Sequence, residues 1–251
     1  MAIINRIKGA NWDSSGLPVL NSFVTQGLVA AFRPKSYASS MVDLSGNETH
    51  VQTIGNPQFT KSGVIGSNAD GFLTSCSETS SHTYIATIKG DSSIGPFIVG
   101  NFNSQSAMGT GIVTLAINNM MHNAGAYWTK SGDTTNWDRV TGSGVAPDNF
   151  RTAWAFIALT VDSEKEWVEL WLKQGDSPLI RAAAVKPSGI KTRNMDATKK
   201  IRIMGPTPAW TSSARNEVAE TLIYNRALSE SEIKQQYLYS QKYHLNNGVV
   251  I

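Results

Sequence analysis

The sequence predicts an all-β protein, a two-sheet antiparallel sandwich that ends in one short helix. Short runs rich in β-branched and aromatic residues are separated by turn formers, which is the pattern of many short strands. No strand–helix–strand alternation occurs, so a parallel sheet is not expected. Only 16% of the 251 residues are charged, as in loop-rich β proteins. One sandwich domain can account for this length.

The predicted elements follow in chain order. Eight runs have the composition or alternation of strands: residues 27–32, 83–88, 96–100, 112–117, 154–161, 166–172, 200–204 and 220–226. Residues 43–47 predict a turn, because aspartate and asparagine bond to the local backbone and glycine relieves a strained φ. Residues 162–165 predict a hairpin loop, and residues 127–151 predict a long loop or a loose hairpin.

The helix has three start signals. Ser229 and Glu232 have the spacing of a capping box, in which each side chain bonds to the other residue's free backbone N–H. Leu228 and Ile233 flank the cap as a hydrophobic staple. Ile233 and Tyr237 then share one helix face. These signals predict a helix that packs on the domain and closes it.

The order of these pieces resembles that of laminin G-like (concanavalin A-like) domains. The resemblance covers roughly residues 23–240, and its most specific part is the run 220–233. It implies a jelly-roll sandwich of a kind used more often for binding than for catalysis. The family ending usually carries an acidic residue directly before Glu220 and a glycine slightly earlier, where this chain has Ala219 and Glu217. Many relatives hold a structural calcium there, and calcium needs six to eight oxygen ligands, so we expect no metal.

The chain divides into three predicted parts: residues 1–22 as an N-terminal arm or linker, 23–242 as the sandwich, and 243–251 as a C-terminal tail. Cys76 is the single cysteine, which excludes an intrachain disulfide and fits a reducing compartment. No apolar stretch has the length of a signal peptide or a membrane span. We therefore expect a soluble protein that is made in the cytoplasm.

The acidic residues do not predict a catalytic site. Glu164, Glu166 and Glu169 come nearest to the paired carboxylates of glycoside hydrolysis. Glu164 and Glu166 have the spacing of a strand, but they lie at the predicted hairpin tip next to Lys165. Glu217 and Glu220 are three residues apart, which predicts opposite faces of a strand. Surface charge is therefore the favoured interpretation of these residues.

Other chemistries are also not predicted. The four histidines are far apart in sequence and have no metal-binding spacing: His50, His82, His122 and His244. No phosphate-binding loop or dinucleotide fingerprint is present, so we expect no cofactor. The net charge is only +3, and the basic run 191–202 contains Asp196 and has no interleaved aromatic residue. That run predicts a solvated face and no nucleic-acid partner.

Aromatic residues in predicted loops are the candidate ligand-binding groups. They are Tyr127, Trp128, Trp137 and Trp210. Exposed rings stack on sugar faces because they offer a large apolar area with a polar handle. The alternative is that these rings anchor the loops in the core. Trp167, Glu169 and Trp171 share one face of a predicted strand, and this face is either core or a surface that meets a ligand or partner.

A lectin-like sandwich with an arm, no export signal and no catalytic set is typical of bacteriophage structural proteins. The leading hypothesis is a non-catalytic virion protein, in a decoration, collar or tail-associated position, that displays the sandwich for adhesion to host-surface carbohydrate. It would join other virion proteins through residues 1–22 and form a homo-oligomer on the particle, without inserting into a membrane. The alternatives are a free-standing carbohydrate-binding lectin and a polysaccharide hydrolase or lyase.

Overall fold

The structure is a computed structural model, and it describes residues 23–90, 94–102, 108–115, 121–130, 137–145, 153–186, 190–195, 198–205 and 215–251. Within these ranges the chain forms two antiparallel sheets of eight strands each and one α-helix. The predicted fold class, an all-β two-sheet jelly-roll sandwich with a C-terminal helix, is confirmed. The predicted arm, residues 1–22, lies outside the described residues.

The first sheet carries the features discussed below. Its strands are β1 (Leu28–Phe32), β3 (Gln58–Phe59), β4 (Val64–Gly66), β6 (His82–Gly90), β11 (Ala155–Asp162), β12 (Trp167–Gln174), β13 (Ile180–Val185) and β16 (Asn216–Tyr224). They run in the order β13-β12-β11-β6-β16-β4-β3, and β1 pairs with the second half of β16. The predicted strands at residues 83–88, 154–161 and 166–172 correspond to β6, β11 and β12, which lie side by side.

The second sheet packs against the first. Its strands are β2 (Val51–Ile54), β5 (Gly71–Ser77), β7 (Ile94–Gly100), β8 (Thr110–Leu115), β9 (Met121–Lys130), β10 (Trp137–Val145), β14 (Ile190–Arg193) and β15 (Lys200–Met204). They run in the order β10-β9-β8-β7-β15-β5-β2, and β14 pairs with β9. Because β9 and β10 pair along their length, the loose-hairpin alternative for residues 127–151 is confirmed and the long loop is wrong.

The inner core lies between the two sheets. Alternate residues of β6 and β11 point into it, among them Ile88, Ile157 and Leu159, and all three are fully buried. Burying one such side chain stabilises the fold by about 1.5–3 kcal/mol. Cys76 also lies here, in β5, and is buried. Burial raises the pKa of its thiol.

The outer core covers the opposite face of the first sheet and lies beneath α1 (Glu230–Leu245). Phe156 of β11 meets Tyr237 of the helix edge-to-face, with ring centroids 5.4 Å apart. The chain after the helix returns to this core, because Val249 and Ile251 are both buried in it. The sequence predicted a separate C-terminal tail for residues 243–251. This prediction is wrong, because these residues complete the helix and its packing.

The helix begins as predicted. Ser229 Oγ accepts a hydrogen bond from the backbone N–H of Glu232, and the backbone N–H of Ser229 donates to Glu232 Oε2 at 2.9 Å. Leu228 and Ile233 are both buried in the outer core. Among the described residues, no helix combines the length and apolar character that crossing a membrane requires.

Candidate functional site

A cavity of about 430 Å³ opens on the outer face of the first sheet, beside the N-terminus of α1. We call it the outer cavity. Its lining side chains used below are Asp162, Lys165, Trp167, Glu169, Arg181, Arg226, Glu230 and Glu232. They come from the hairpin of β11 and β12, from β13, and from the segment that enters the helix. The volume lies within the roughly 300–1,000 Å³ range of small-molecule sites.

The hairpin tip forms one wall of the outer cavity. Asp162 Oδ1 accepts backbone hydrogen bonds from Glu164 and Lys165, each at 3.1 Å, which fixes the turn. Burial would raise the pKa of Asp162, but the bonds from Lys165 outweigh it and hold the pKa below its ordinary value. Glu166 closes the turn with φ at 56°, in the left-handed region. The next residue is Trp167, which is half-buried and lines the cavity.

Glu169 and its neighbours form the floor. Glu169 Oε1 accepts a hydrogen bond from Arg181 at 3.2 Å, and its Oε2 accepts one from Trp171 Nε1 at 3.4 Å. Trp171 is buried in the outer core, whereas Trp167 on the same strand face is not. The two alternatives for this strand face are therefore both realised, since Trp171 is core and Trp167 lines the cavity.

The helix entry forms the opposite wall. Arg226 donates to both carboxylate oxygens of Glu232, at 3.0 and 2.5 Å, while Glu232 also caps the helix. The bond from Arg226 is the main reason that the pKa of Glu232 falls to about 2. A carboxyl group with so low a pKa is ionised at neutral pH and cannot serve as a general acid.

Each cation of the outer cavity is paired with a carboxylate. The pairs are Lys165 with Asp162, Arg181 with Glu169, and Arg226 with Glu232. Glu230 is a fourth lining carboxylate, and its partner Lys234 points from the next helical turn. The lining therefore carries four carboxylates against three cations. It offers charged hydrogen-bonding groups held in place, and none of its cations lacks an anionic partner.

The predicted binding residues are placed elsewhere. Trp128 is fully buried in the inner core, where the Arg193 guanidinium lies 5.4 Å from its ring centroid. The expectation that Trp128 is exposed in a loop is therefore wrong, because it sits in β9 and faces the other sheet. Tyr127 and Trp137 lie in β9 and β10, and Trp210 lies outside the described residues. Ligand binding by these three residues stays a prediction.

Glu217 and Glu220 share one face, contrary to expectation. The register of β16 against β6 shifts between Val218 and Glu220, so a bulge resets the alternation. Glu220 is buried on the outer side, where it accepts a 2.7 Å hydrogen bond from Arg33 Nε and lies 3.5 Å from His244 of α1. Both carboxylates act in structural pairs.

The Glu217 pair is the weaker one. Its oxygen Oε2 lies 3.3 Å from Lys89 Nζ, which in turn lies 5.1 Å from the ring centroid of Trp154 in the outer core.

In the described part of the chain, no group of three or more histidine, cysteine, aspartate or glutamate side chains is placed to hold a metal ion.

The sequence did not predict a second buried ion pair, between Arg193 and Glu78. Arg193, predicted to lie on a solvated basic face, is buried and donates to Glu78 Oε1. Glu78 also accepts hydrogen bonds from Thr110 at 2.5 Å and from Asn101 at 3.0 Å. Lysine and arginine runs predict exposure only on average, and the buried partner of Arg193 is 115 residues away in sequence.

Comparisons with known proteins identify the fold. No protein-family model matches this sequence, and a search of curated proteins finds no match. Among solved structures, the binding domain of Paraclostridial Mosquitocidal Protein 1 aligns with a TM-score of 0.60 and 15% identity, over 86% of this chain and 52% of that chain. The ligand-binding domain of botulinum neurotoxin serotype D, solved in complex with N-acetylneuraminic acid, aligns with a TM-score of 0.55 and 14% identity, over 86% and 51%.

A third structure concerns botulinum neurotoxin type C, whose cell entry depends on interaction with two ganglioside molecules. It aligns with a TM-score of 0.55 and 13% identity, over 86% of this chain and 51% of that chain. This chain thus spans about half the length of the solved chains that it matches. At such low identity the likeness shows the shared β-sandwich fold alone.

Proposed function

We propose that this protein is a non-catalytic saccharide-binding domain and that the outer cavity holds the sugar. The observation that carries the proposal is that a half-buried Trp167 and several charged groups held in ion pairs line the same cavity. A sugar ring has an apolar C–H face that can stack on an indole. Its hydroxyl groups can bond to carboxylate and guanidinium groups, and such charge-assisted bonds are the stronger ones.

Charge pairing favours a neutral saccharide. A ligand carboxylate, such as that of sialic acid, would compete with Glu169 for Arg181 and with Glu232 for Arg226. It would also meet one more carboxylate than cations in the lining. Like charges placed together are unfavourable, so the cavity discriminates against acidic sugars. The solved neighbours include domains that bind gangliosides or N-acetylneuraminic acid, which supports glycan recognition in general as the shared role.

The catalytic alternative has less support. Hydrolysis of a glycosidic bond needs one carboxyl group with a raised pKa to protonate the leaving oxygen. In the outer cavity the pKa of Asp162, Glu230 and Glu232 is lowered in each case. For Glu230 the cause is the hydrogen bond from Lys234.

A glycan array tests the proposal. Wild type is expected to bind a set of neutral oligosaccharides, and Trp167→Ala is expected to lose them, because the stacking surface is removed. Tyr239→Ala is the matched control, since Tyr239 is a half-buried aromatic residue on the far part of α1. Wild type that binds no glycan, or a Trp167→Ala variant with unchanged binding, would refute the site.

The setting that we propose for this domain is the outside of a bacteriophage particle, with residues 1–22 as the attachment to other virion proteins. This part is supported by the sequence pattern alone. Deleting residues 1–22 is expected to leave a folded domain that still binds glycan and no longer joins the particle. Normal incorporation of the truncated protein would contradict the attachment role without touching the glycan site.

A further inference from the structure

A second cavity, of about 210 Å³, enters the sandwich from the opposite side of the first sheet. We call it the inner cleft. Its lining includes the exposed residues Ser77 and Asn225 and the buried residues His82 and Tyr84 of β6. Because residues two apart on a strand share a face, His82 and Tyr84 both point between the sheets. Their rings stack with centroids 4.6 Å apart.

Both side chains carry an unused hydrogen-bonding group. His82 is 1% exposed and Tyr84 is fully buried, yet neither His82 Nε2 nor the Tyr84 hydroxyl has a hydrogen-bond partner among the described residues. A buried polar atom without a partner costs about 1–3 kcal/mol. Two such atoms in side chains that line the same cleft point to a bound group that satisfies both.

The chemistry of that group follows from the two side chains. His82 Nδ1 lies 2.8 Å from the carbonyl oxygen of Thr79, which can only accept, so Nδ1 carries the proton. Burial lowers the pKa of His82 to about 3, and the ring is neutral, which leaves Nε2 as an acceptor. Burial also raises the pKa of Tyr84, whose hydroxyl stays protonated and can donate. A ligand hydroxyl can donate to the first group and accept from the second.

The remaining lining adds an apolar side to the cleft, formed by Val29, Ile201 and Ile223. Water can bond to the polar groups but gains nothing from the apolar side. A molecule with both C–H and hydroxyl groups can contact the apolar side and the hydrogen-bonding groups of His82 and Tyr84 at once.

We propose that the inner cleft is a binding site for a small neutral polyol, up to the size of one sugar ring. The neighbouring charges, Glu78 and Arg193, are already paired with each other, so the cleft does not call for an ionic ligand. The site lies on the other face of the sheet from the outer cavity and is independent of the proposed glycan site.

Nuclear magnetic resonance titration tests this proposal with erythritol as the probe and erythronate, its carboxylate analogue, for comparison. The readout is the imidazole ¹⁵N resonance of His82 in the full-length protein. Erythritol is expected to shift this resonance saturably, with a dissociation constant in the millimolar range. Erythronate is expected to bind more weakly, because its charge would be desolvated.

Tyr84→Phe removes only the hydroxyl oxygen and is expected to weaken erythritol binding about tenfold, the effect of one lost hydrogen bond. Tyr237→Phe, on the opposite face of the sheet, is the control and is expected to bind as wild type does. Thermal unfolding in the presence of erythritol adds a second readout: erythritol is expected to raise the Tm of wild type and of Tyr237→Phe more than that of Tyr84→Phe, because a ligand that binds the folded state stabilises it in proportion to its affinity. An imidazole resonance of His82 that shows no saturable shift, or the same rise in Tm for wild type and Tyr84→Phe, would overturn the proposal.

Discussion

The two faces of the first sheet are built from the same parts but differ in how they treat charge. Each face carries a hydrophobic core, a buried arginine–glutamate pair and a cavity. The outer cavity is lined by paired, partly solvated ions. The inner cleft is lined instead by two neutral groups, His82 Nε2 and the Tyr84 hydroxyl, which have no hydrogen-bond partner among the residues that the structure describes. This difference indicates that the outer face recognises a ligand through fixed charges and stacking, and the inner face through neutral hydrogen bonds.

On either face, breaking the buried ion pair should have the largest effect on the stability of the fold. Glu220→Gln leaves Arg33 without its carboxylate, and Glu78→Gln does the same to Arg193. Each change should lower the free energy of unfolding by about 3–5 kcal/mol, because an uncompensated buried charge remains. Chemical denaturation measures it. Glu217→Gln is the control on the same strand, and a loss below about 1 kcal/mol is expected for its partly exposed pair with Lys89.

The buried pair of Arg33 and Glu220 also predicts that part of the free energy of unfolding is lost in acid. Burial would raise the pKa of Glu220, but Arg33 and His244 lower it from the ordinary value of 4.5 to about 2. The unfolded chain therefore takes up a proton at higher pH than the folded chain does. This contribution, about 3 kcal/mol, is fully present above pH 4.5 and is lost as the pH falls towards about 2. The denaturation midpoints of wild type and Glu220→Gln should therefore approach each other as the pH is lowered from 4.5 towards 2. A difference between the two midpoints that does not change with pH would contradict the assignment.

The helix cap that supports the outer cavity predicts a smaller effect. Ser229→Ala removes one half of the capping box and should cost about 1 kcal/mol in the free energy of unfolding. The neighbouring Ser231→Ala should be nearly neutral, because the backbone N–H of Glu232 bonds to Ser229. Equal losses in the two variants, measured by thermal unfolding, would show that the cap does not stabilise this wall.

The hairpin tip predicts the smallest effect and the opposite sign. Glu166 adopts φ of 56°, which glycine accepts at little cost. Glu166→Gly should therefore raise the free energy of unfolding by about 0.5–1 kcal/mol. Glu164→Gly, in the same turn, has no such strain to relieve and should be neutral or destabilising. If the two glycine variants change the stability alike, the strain at Glu166 does not contribute.

The predictable features are the local ones. The helix start could be predicted because Ser229 and Glu232 interact over three residues, and β11 and β12 because their composition is strongly strand-like. Trp128 was misplaced because its burial depends on pairing of β9 with β8, β10 and β14, which no local signal reports. The bulge in β16 likewise has no sequence signature.

The cavities could not be predicted for the same reason. The outer cavity joins a hairpin at residues 160–169 to a segment at 226–232, and the inner cleft joins β1, β6, β15 and the end of β16. Trp167 and Glu169 were singled out because strand alternation places them on one face. Other parts of the lining are Arg181, which pairs with Glu169, and Arg226, which pairs with Glu232. They come beside this face only when the sheet and the helix entry pack together.

The central claim is that the outer cavity binds a neutral saccharide through Trp167. The most direct measurement follows the Trp167 indole resonance by nuclear magnetic resonance during titration. The ligands are the strongest neutral glycan from the array and the same glycan bearing a terminal sialic acid. The structure predicts a saturable shift with the neutral glycan and at least about tenfold weaker binding of the sialylated one, a difference of about 1.4 kcal/mol. An indole that does not respond, or tighter binding of the sialylated glycan, would contradict the claim.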